Sequence, residues 1–243
     1  MNEQAPETNS GGHRGNRRLI AAYGAVVLLM LLILVGILVL SSDSPEASHG
    51  NPHLNLTSGI TSGVPPDARP GADPPPLPHK SAPEAARAAG CELRLHLPDE
   101  GHQHIPVTAP EPGYKTKPPT SGNHIDEQQA DGAYRATPRP VQVVHSLEHG
   151  RMAIQYQPDL PEGAQAQLIG LYGTLYGGTL LLPNAKMPFA VAATTWTNLL
   201  GCHSYRGAAT LAAIAAFGRS TWGKYGGEPL TGLMPNAPTP TSP

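Results

Sequence analysis

The segment from Leu19 to Leu40 holds 22 consecutive residues without a charged side chain, and no other feature limits the possible architectures so sharply. As a helix it would measure about 33 Å at about 1.5 Å per residue, enough to cross the hydrocarbon core of a bilayer. Arg14, Arg17 and Arg18 stand just before it, whereas Asp43 and Glu46 follow. Basic residues are retained on the cytoplasmic side, so the pattern predicts residues 1–18 as a cytoplasmic tail, a single span at 19–40, and everything after it outside the cell membrane. A cleaved signal peptide has a shorter apolar core, about 7 to 15 residues, ending at a small-residue site. Ser41-Ser42-Asp43-Ser44 does not match that site, and no cysteine follows the apolar run to carry a lipid. The expected arrangement is an uncleaved single-pass signal anchor.

Residues 41–88 hold ten prolines among Ser, Gly, Asp and Ala, with almost no large apolar side chains. Such a stretch offers too little apolar surface to offset the entropy of ordering it, so a disordered or partly polyproline spacer is expected. His49, His53 and His79 fall in the spacer and read as solvated. Residues 230–243 carry four prolines and read as a loose tail. Residues 89–229 are left as one extracytoplasmic domain of ordinary size. Over residues 91–243, ten Lys plus Arg face eleven Asp plus Glu, a balance that argues against a nucleic-acid partner.

Within the domain, alternation in Val141-Gln142-Val143-Val144 and in Met152 to Tyr156 predicts two half-buried strands joined by His145 to Gly150. Asp159 with Glu162 three residues on resembles a capping box. It would open a helix with Ala164, Leu168, Leu171, Tyr172 and Leu175 on one face, stopped by Gly177-Gly178. Phe189 to Trp196 reads as a strand, and Ala208 to Phe217 as a helix with Leu211, Ile214 and Phe217 on one side. Strands and helices intermingle, which predicts an α+β fold, a single small domain with a small antiparallel sheet and a few helices.

The chain has two cysteines, Cys91 and Cys202. Outside the cytoplasm such a pair is most simply a disulfide. Closing so long a loop would stabilise the fold by about 4 to 5 kcal/mol in the chain-entropy account. Thiolate metal ligation is the alternative, and neither cysteine has the CxxC partner that would favour it.

Six histidines fall between residues 96 and 149. Imidazole is the commonest metal ligand and titrates near neutral pH, so this crowding points to a site. His102 and His104, two apart, would leave one face of an extended segment together. His96, flanked by leucines, reads as structural. In Pro118-Pro119-Thr120-Ser121-Gly122-Asn123-His124 a rigid run presents His124. His145 and His149 have a helical ligand spacing, although the flanking strand signals favour a turn. Glu148 between them could ligate, orient an imidazole from behind, or act as a general base. Ser121 as a nucleophile would need a base and an orienting acid, for which His145 with Glu148 could be drafted only by assumption, and Glu148-His149 does not match an HExxH protease motif.

These motifs carry a resemblance. Cys91 to Ile105, then Tyr114 with the PPTSGNH run, Gly132-Ala133-Tyr134, and Val144 to Pro158 look like the uncharacterised bacterial family catalogued as domain of unknown function 3105. The resemblance covers roughly residues 90–228 and implies membrane-anchored, exported proteins of the cell envelope with no established activity. One departure is Thr195-Trp196-Thr197, where the family segment reads Ala-Trp-Gly.

Three functional readings follow from the residues. In the first, His102, His104, His124, His145 and His149 supply three or four ligands to a transition metal, with Glu148 behind them. Imidazole donors suit Zn or Cu, and copper is favoured only if Met152 or Met187 reaches the site. The second is a cell-envelope hydrolase using a His/Glu pair. The third is a metal-free envelope interaction module whose histidines fasten loops. All three turn on whether the histidine motifs meet in space.

Overall fold

The computed structural model describes residues 64–175 and 177–228. The apolar run at 19–40, the first part of the proline-rich stretch and the tail at 230–243 lie outside the described residues, and among those described no helix is long and apolar enough to cross a membrane.

The described chain forms helix α1 (Ala82–Ala89), strands β1 (Glu92–Arg94) and β2 (Gly132–Ala133), helix α2 (Pro140–Glu148), strand β3 (Met152–Tyr156) and helix α3 (Glu162–Thr174). Strands β4 (Thr179–Pro183), β5 (Val191–Thr195) and β6 (Asn198–Cys202) and helix α4 (Ala208–Thr221) follow. The strands make one six-stranded sheet in the order β1-β6-β5-β3-β4-β2. The α+β expectation holds, but the sheet is mixed rather than antiparallel. β3 and β4 run parallel, as do β2 and β4, while β3–β5, β5–β6 and β6–β1 are antiparallel. The parallel pair arises because α3 lies in the connection from β3 to β4, a crossover that returns the chain in the same direction.

Both faces of the sheet are covered, so β3 to β6 are buried at every position. On one face Ile154, Leu181, Val191, Ala193 and Leu200 pack beneath α1, α3 and α4 through Ala85, Leu168, Leu171, Leu211, Ile214 and Phe217. On the other face Ala153, Leu180 and Leu182 meet Val143, Val144 and Leu147 of α2, together with Tyr134 and Trp196.

Val141 to Val144, expected as a strand, lies in α2. Pro140 opens the helix with a φ already suited to it, and Val141 through Glu148 are all buried. A helix enclosed on every side shows no clean polar face, so four residues of it can imitate strand alternation. The helix after Asp159 is present, but it is not opened by the expected capping box. Its N-cap is Pro161, without a side-chain cap hydrogen bond. Gln165 instead reaches back, its Nε2 donating to the Pro158 and Leu160 carbonyls at 3.2 and 2.6 Å.

The proline-rich stretch also departs from expectation where it is described. Residues 64–88 lie on the domain rather than forming a free spacer. The Asp67 N–H donates to Ala133 O at 2.7 Å and the Ala72 N–H to Ala166 O at 2.8 Å. Arg69 holds Asp67 bidentately and donates to Gln165 of α3 at 2.8 Å. At Gly170 of α3 there is no room for a Cβ against the Ala72 carbonyl, so glycine allows the two backbones to touch. Residues 82–88 belong to α1, whose small side chains Ala82, Ala85, Ala86 and Ala89 are buried. Such a segment needs no large apolar residues because it borrows an existing core.

Cys91 and Cys202 form the expected disulfide, with Cα atoms 4.2 Å apart across 111 residues of sequence. It ties the residue just before β1 to the end of β6.

Candidate metal centre

Backbone pairing joins the first two histidine motifs. His124 N–H donates to Gln103 O at 3.1 Å and Ile105 N–H to His124 O at 2.7 Å, a short parallel bridge that sets His104 beside His124. The other polar residues of the PPTSGNH run fasten this bridge. Ser121 Oγ accepts from the Glu100 N–H at 3.0 Å, Asn123 Oδ1 accepts from the Gln103 N–H at 3.1 Å, and the Tyr114 hydroxyl donates to Asn123 O at 2.8 Å. Ser121 is therefore buried and engaged as a fastener. The bridge begins at residue 103, so His102 precedes it. Its side chain is 71% exposed, with Asp99 as its near neighbour at 3.8 Å, and it stays outside the cluster.

The third motif arrives on α2. Because the segment is helical, His145, Glu148 and His149 come to one side at the i, i+3 and i+4 spacing, and His149 forms the C-cap with its N–H directed to His145 O. Ser146 holds the helix in place, its Oγ donating to Gln129 O at 2.8 Å. The ring centroids of His104, His124 and His145 lie 4.7 to 5.0 Å from one another, and His149 stacks on His145 at 4.9 Å. His104, His124, His145 and Glu148 each present one ligand atom, all within 4.8 Å of one another. Glu148, expected behind the ligands, stands among them. A second group, His145, His149 and Glu228, shares His145 with the first.

The tautomers can be read from the partners. His124 Nδ1 lies 2.8 Å from Gly122 O, which can only accept, so Nδ1 carries the proton. Nε2 then holds a lone pair, and it points at Glu148 Oε2, 3.0 Å away, without making a hydrogen bond. His104 Nδ1 lies 3.2 Å from Asp126 Oδ1. A ring proton held by a carbonyl or carboxylate is the arrangement that orients imidazoles around metals.

Burial disfavours the charged form of two of the imidazoles, His145 and His124. Burial, then the neighbouring His124, His149 and His104, push His145 down to about 3. His124 is lowered chiefly by burial, against the opposing pull of the Gly122 carbonyl. Glu148 is raised, first by burial and then by the Glu228 carboxylate. Metal binding requires imidazoles in their neutral form, so the lowering at His145 and His124 favours a cation at the cluster. The cluster also lies at the C-terminal end of α2, where the helix macrodipole favours positive charge.

Other expected residues stand elsewhere. His96 takes a structural position at φ 55, its N–H donating to Asn198 Oδ1 and its ring edge-on to Tyr225. His79 is exposed as expected, and His49 and His53 lie outside the described residues. Met152 packs with α4 and Met187 with Phe189, each in an apolar cluster apart from the histidines. Two contributors were not singled out from sequence: Asp126, beside His104, and Glu228, which reaches the site from beyond α4. Only the approach of distant segments gives either a role.

No curated protein and no solved structure matches the chain. A family model spanning residues 108–229 takes in His124, His145, Glu148, His149 and Glu228 but not His104; on that match, half the length of the chain, the protein belongs to the family described as protein of unknown function (DUF3105).

Proposed function

We propose that this domain binds a divalent transition metal, zinc by preference, through His104, His124, His145 and Glu148, on the outer side of the membrane to which residues 19–40 anchor it. The observation that carries the reading is His124. It is fully buried, its Nδ1 proton is committed to Gly122, and its Nε2 faces a Glu148 carboxylate oxygen 3.0 Å away without a hydrogen-bond partner among the described residues. A cation completes that arrangement, because both atoms are donors of electron pairs to a metal. Three imidazoles and one carboxylate suit zinc or copper(II), and Met152 and Met187, the methionines among the described residues, pack in apolar clusters, which disfavours copper(I). The Cys91–Cys202 disulfide supports an oxidising compartment, as do the arginines before the apolar run.

Elemental analysis and equilibrium dialysis of the full chain with zinc test the reading. One tightly held equivalent is expected in the wild type and in His102→Ala, and its loss in His124→Ala. A wild type that holds no metal, or a His124→Ala protein that holds as much, would overturn it. For the orientation, a reporter fused after Pro243 should be active outside the cytoplasm, and activity confined to the cytoplasm would refute the anchor.

A further inference from the structure

The second group of donors raises a different question, because it overlaps the first at one residue. His149 Nε2 stands 3.1 Å from His145 Nε2 and 3.1 Å from Glu228 Oε2. Two ligand atoms bound to one ion at about 2.0 to 2.1 Å in a tetrahedron lie about 3.3 Å apart, so this spacing suits a shared cation. The two groups differ in exposure. Each group reaches solvent through one side chain, His104 at 41% and Glu228 at 44%, but the outer group is the more open, with His149 at 13% where His124, His145 and Glu148 are buried. Three donors leave a coordination position open to water, as an ion arriving with part of its hydration shell requires.

The chain holds this outer group together deliberately in a structural sense. After α4 the backbone runs back over the C-terminal end of α2, with Gly223 N–H donating to Gly150 O at 2.9 Å and Glu228 N–H directed at Glu148 O at 3.3 Å. At Gly226, φ is +151 and a Cβ would collide with the Glu148 carbonyl, so only glycine lets the segment lie this close. The result places Glu228 over the end of the helix whose dipole already draws cations.

We infer that His149 and Glu228, with His145, form an outer cation position through which a divalent ion reaches the inner donors His124, His145 and Glu148. The inference rests on the proposed metal-binding function. One nitrogen of a neutral imidazole offers one lone pair, so His145 serves the outer and inner positions in turn and the ion passes between them by exchanging the remaining ligands. Glu228 supplies the charge that draws the hydrated cation, His149 and His145 replace its first waters, and His104, His124 and Glu148 take it inward.

A port on the path changes the rates of loading and release by the same factor and leaves the equilibrium alone, whereas a ligand of the resting ion changes the equilibrium. Stopped-flow mixing of the full chain with zinc, followed by a fluorescent zinc chelator, separates the two. In Glu228→Gln, and in a His149→Ala/Glu228→Gln pair, association and release should both slow on the order of tenfold, with one bound equivalent and the same dissociation constant. Gly226→Ala, which displaces the segment without touching a donor, should slow both rates in the same sense. Unchanged rates in Glu228→Gln overturn the port, as does a dissociation constant that rises with the loss of either residue. A wild type that binds two equivalents, of which the paired variant loses one, would make the outer group an independent site and also overturn the port. Failure of the wild type to bind zinc would instead remove the metal-binding function itself.

Discussion

The two faces of the sheet are filled by different chemistry. Beneath α1, α3 and α4 the buried side chains are almost all Ala, Leu, Ile, Val and Phe. Beneath α2 the helix brings Val143, Val144 and Leu147 to the sheet, yet Gln142, His145, Ser146 and Glu148 are also buried. An apolar layer stabilises a fold by removing surface from water. A buried polar layer costs desolvation unless every donor and acceptor is met, so a domain that keeps one has a use for it. In this molecule the structural load falls on one face and the candidate chemistry on the other.

The largest expected effect tests how the polar residues near α2 are supported. Arg151, directly after the helix, is fully buried, and its Nε donates to Asp131 Oδ1 at 2.6 Å, while Asp131 Oδ2 accepts from the Gly178 N–H at 3.1 Å. Asp131→Ala leaves a buried guanidinium facing a cavity and should cost about 3 to 5 kcal/mol in denaturant unfolding. A loss below about 1 kcal/mol would mean that water or other partners replace the carboxylate.

The contrast between faces can then be measured directly. Leu168→Ala, on the apolar face, should cost about 2 to 5 kcal/mol. His145→Leu, of similar volume on the polar face, should change metal-free stability by less than about 1.5 kcal/mol, because an apolar replacement removes the unmet Nδ1 and forfeits only the Nε2 contact with His149. Equal large losses at both positions would show that His145 is structural. Zinc supplies the complement: at a free concentration about 100 times the dissociation constant it should stabilise the wild type by about 2.7 kcal/mol and leave His145→Leu unmoved.

A subtler effect belongs to the segment clamped on the apolar side. Burial raises the Asp67 carboxyl, but hydrogen bonds and charge from Arg69 more than reverse it, leaving it below its ordinary value of 3.8. The folded state thus binds this proton less readily than the unfolded one. The stabilisation is complete above pH 3.8 and is lost as pH falls through the lower folded value. Asp67→Asn should therefore flatten part of the acid limb of a stability profile, and an unchanged limb would count against the clamp. Smallest of all is Thr197→Gly in the β5–β6 turn. Thr197 sits at φ 59, a left-handed conformation that a β-branched residue adopts at a cost. Glycine there should raise stability by about 1 kcal/mol, the steric relief of about 1 to 2 kcal/mol being offset in part by added chain entropy.

That turn also shows where local sequence speaks. The resemblance noted above implies glycine at the third position of Thr195-Trp196-Thr197, and the positive φ of Thr197 is a conformation that glycine adopts freely. Met152 to Tyr156 as a strand, α3 and α4 as helices, and the Cys91–Cys202 pair were legible for the same reason. Each follows from period, composition or compartment, which neighbours in sequence determine. α2 was not legible because burial on all sides erased its polar face. The packing of residues 64–88 was not legible because alanine, glycine and proline carry no sign of the core they lean on.

The sequence by itself determined that histidines would crowd residues 102–149, that two cysteines would pair, and that strands would alternate with helices in one α+β domain. Tertiary structure alone decided which histidines meet. The 103–105 bridge admits His104 and leaves His102 in solvent, the helical form of 140–148 turns His145 and Glu148 inward, and the return of the chain after α4 brings Glu228 across nearly 80 residues of sequence. A ligand set is a property of distances between atoms, and distances between remote segments are set by packing, which no window of neighbouring residues encodes.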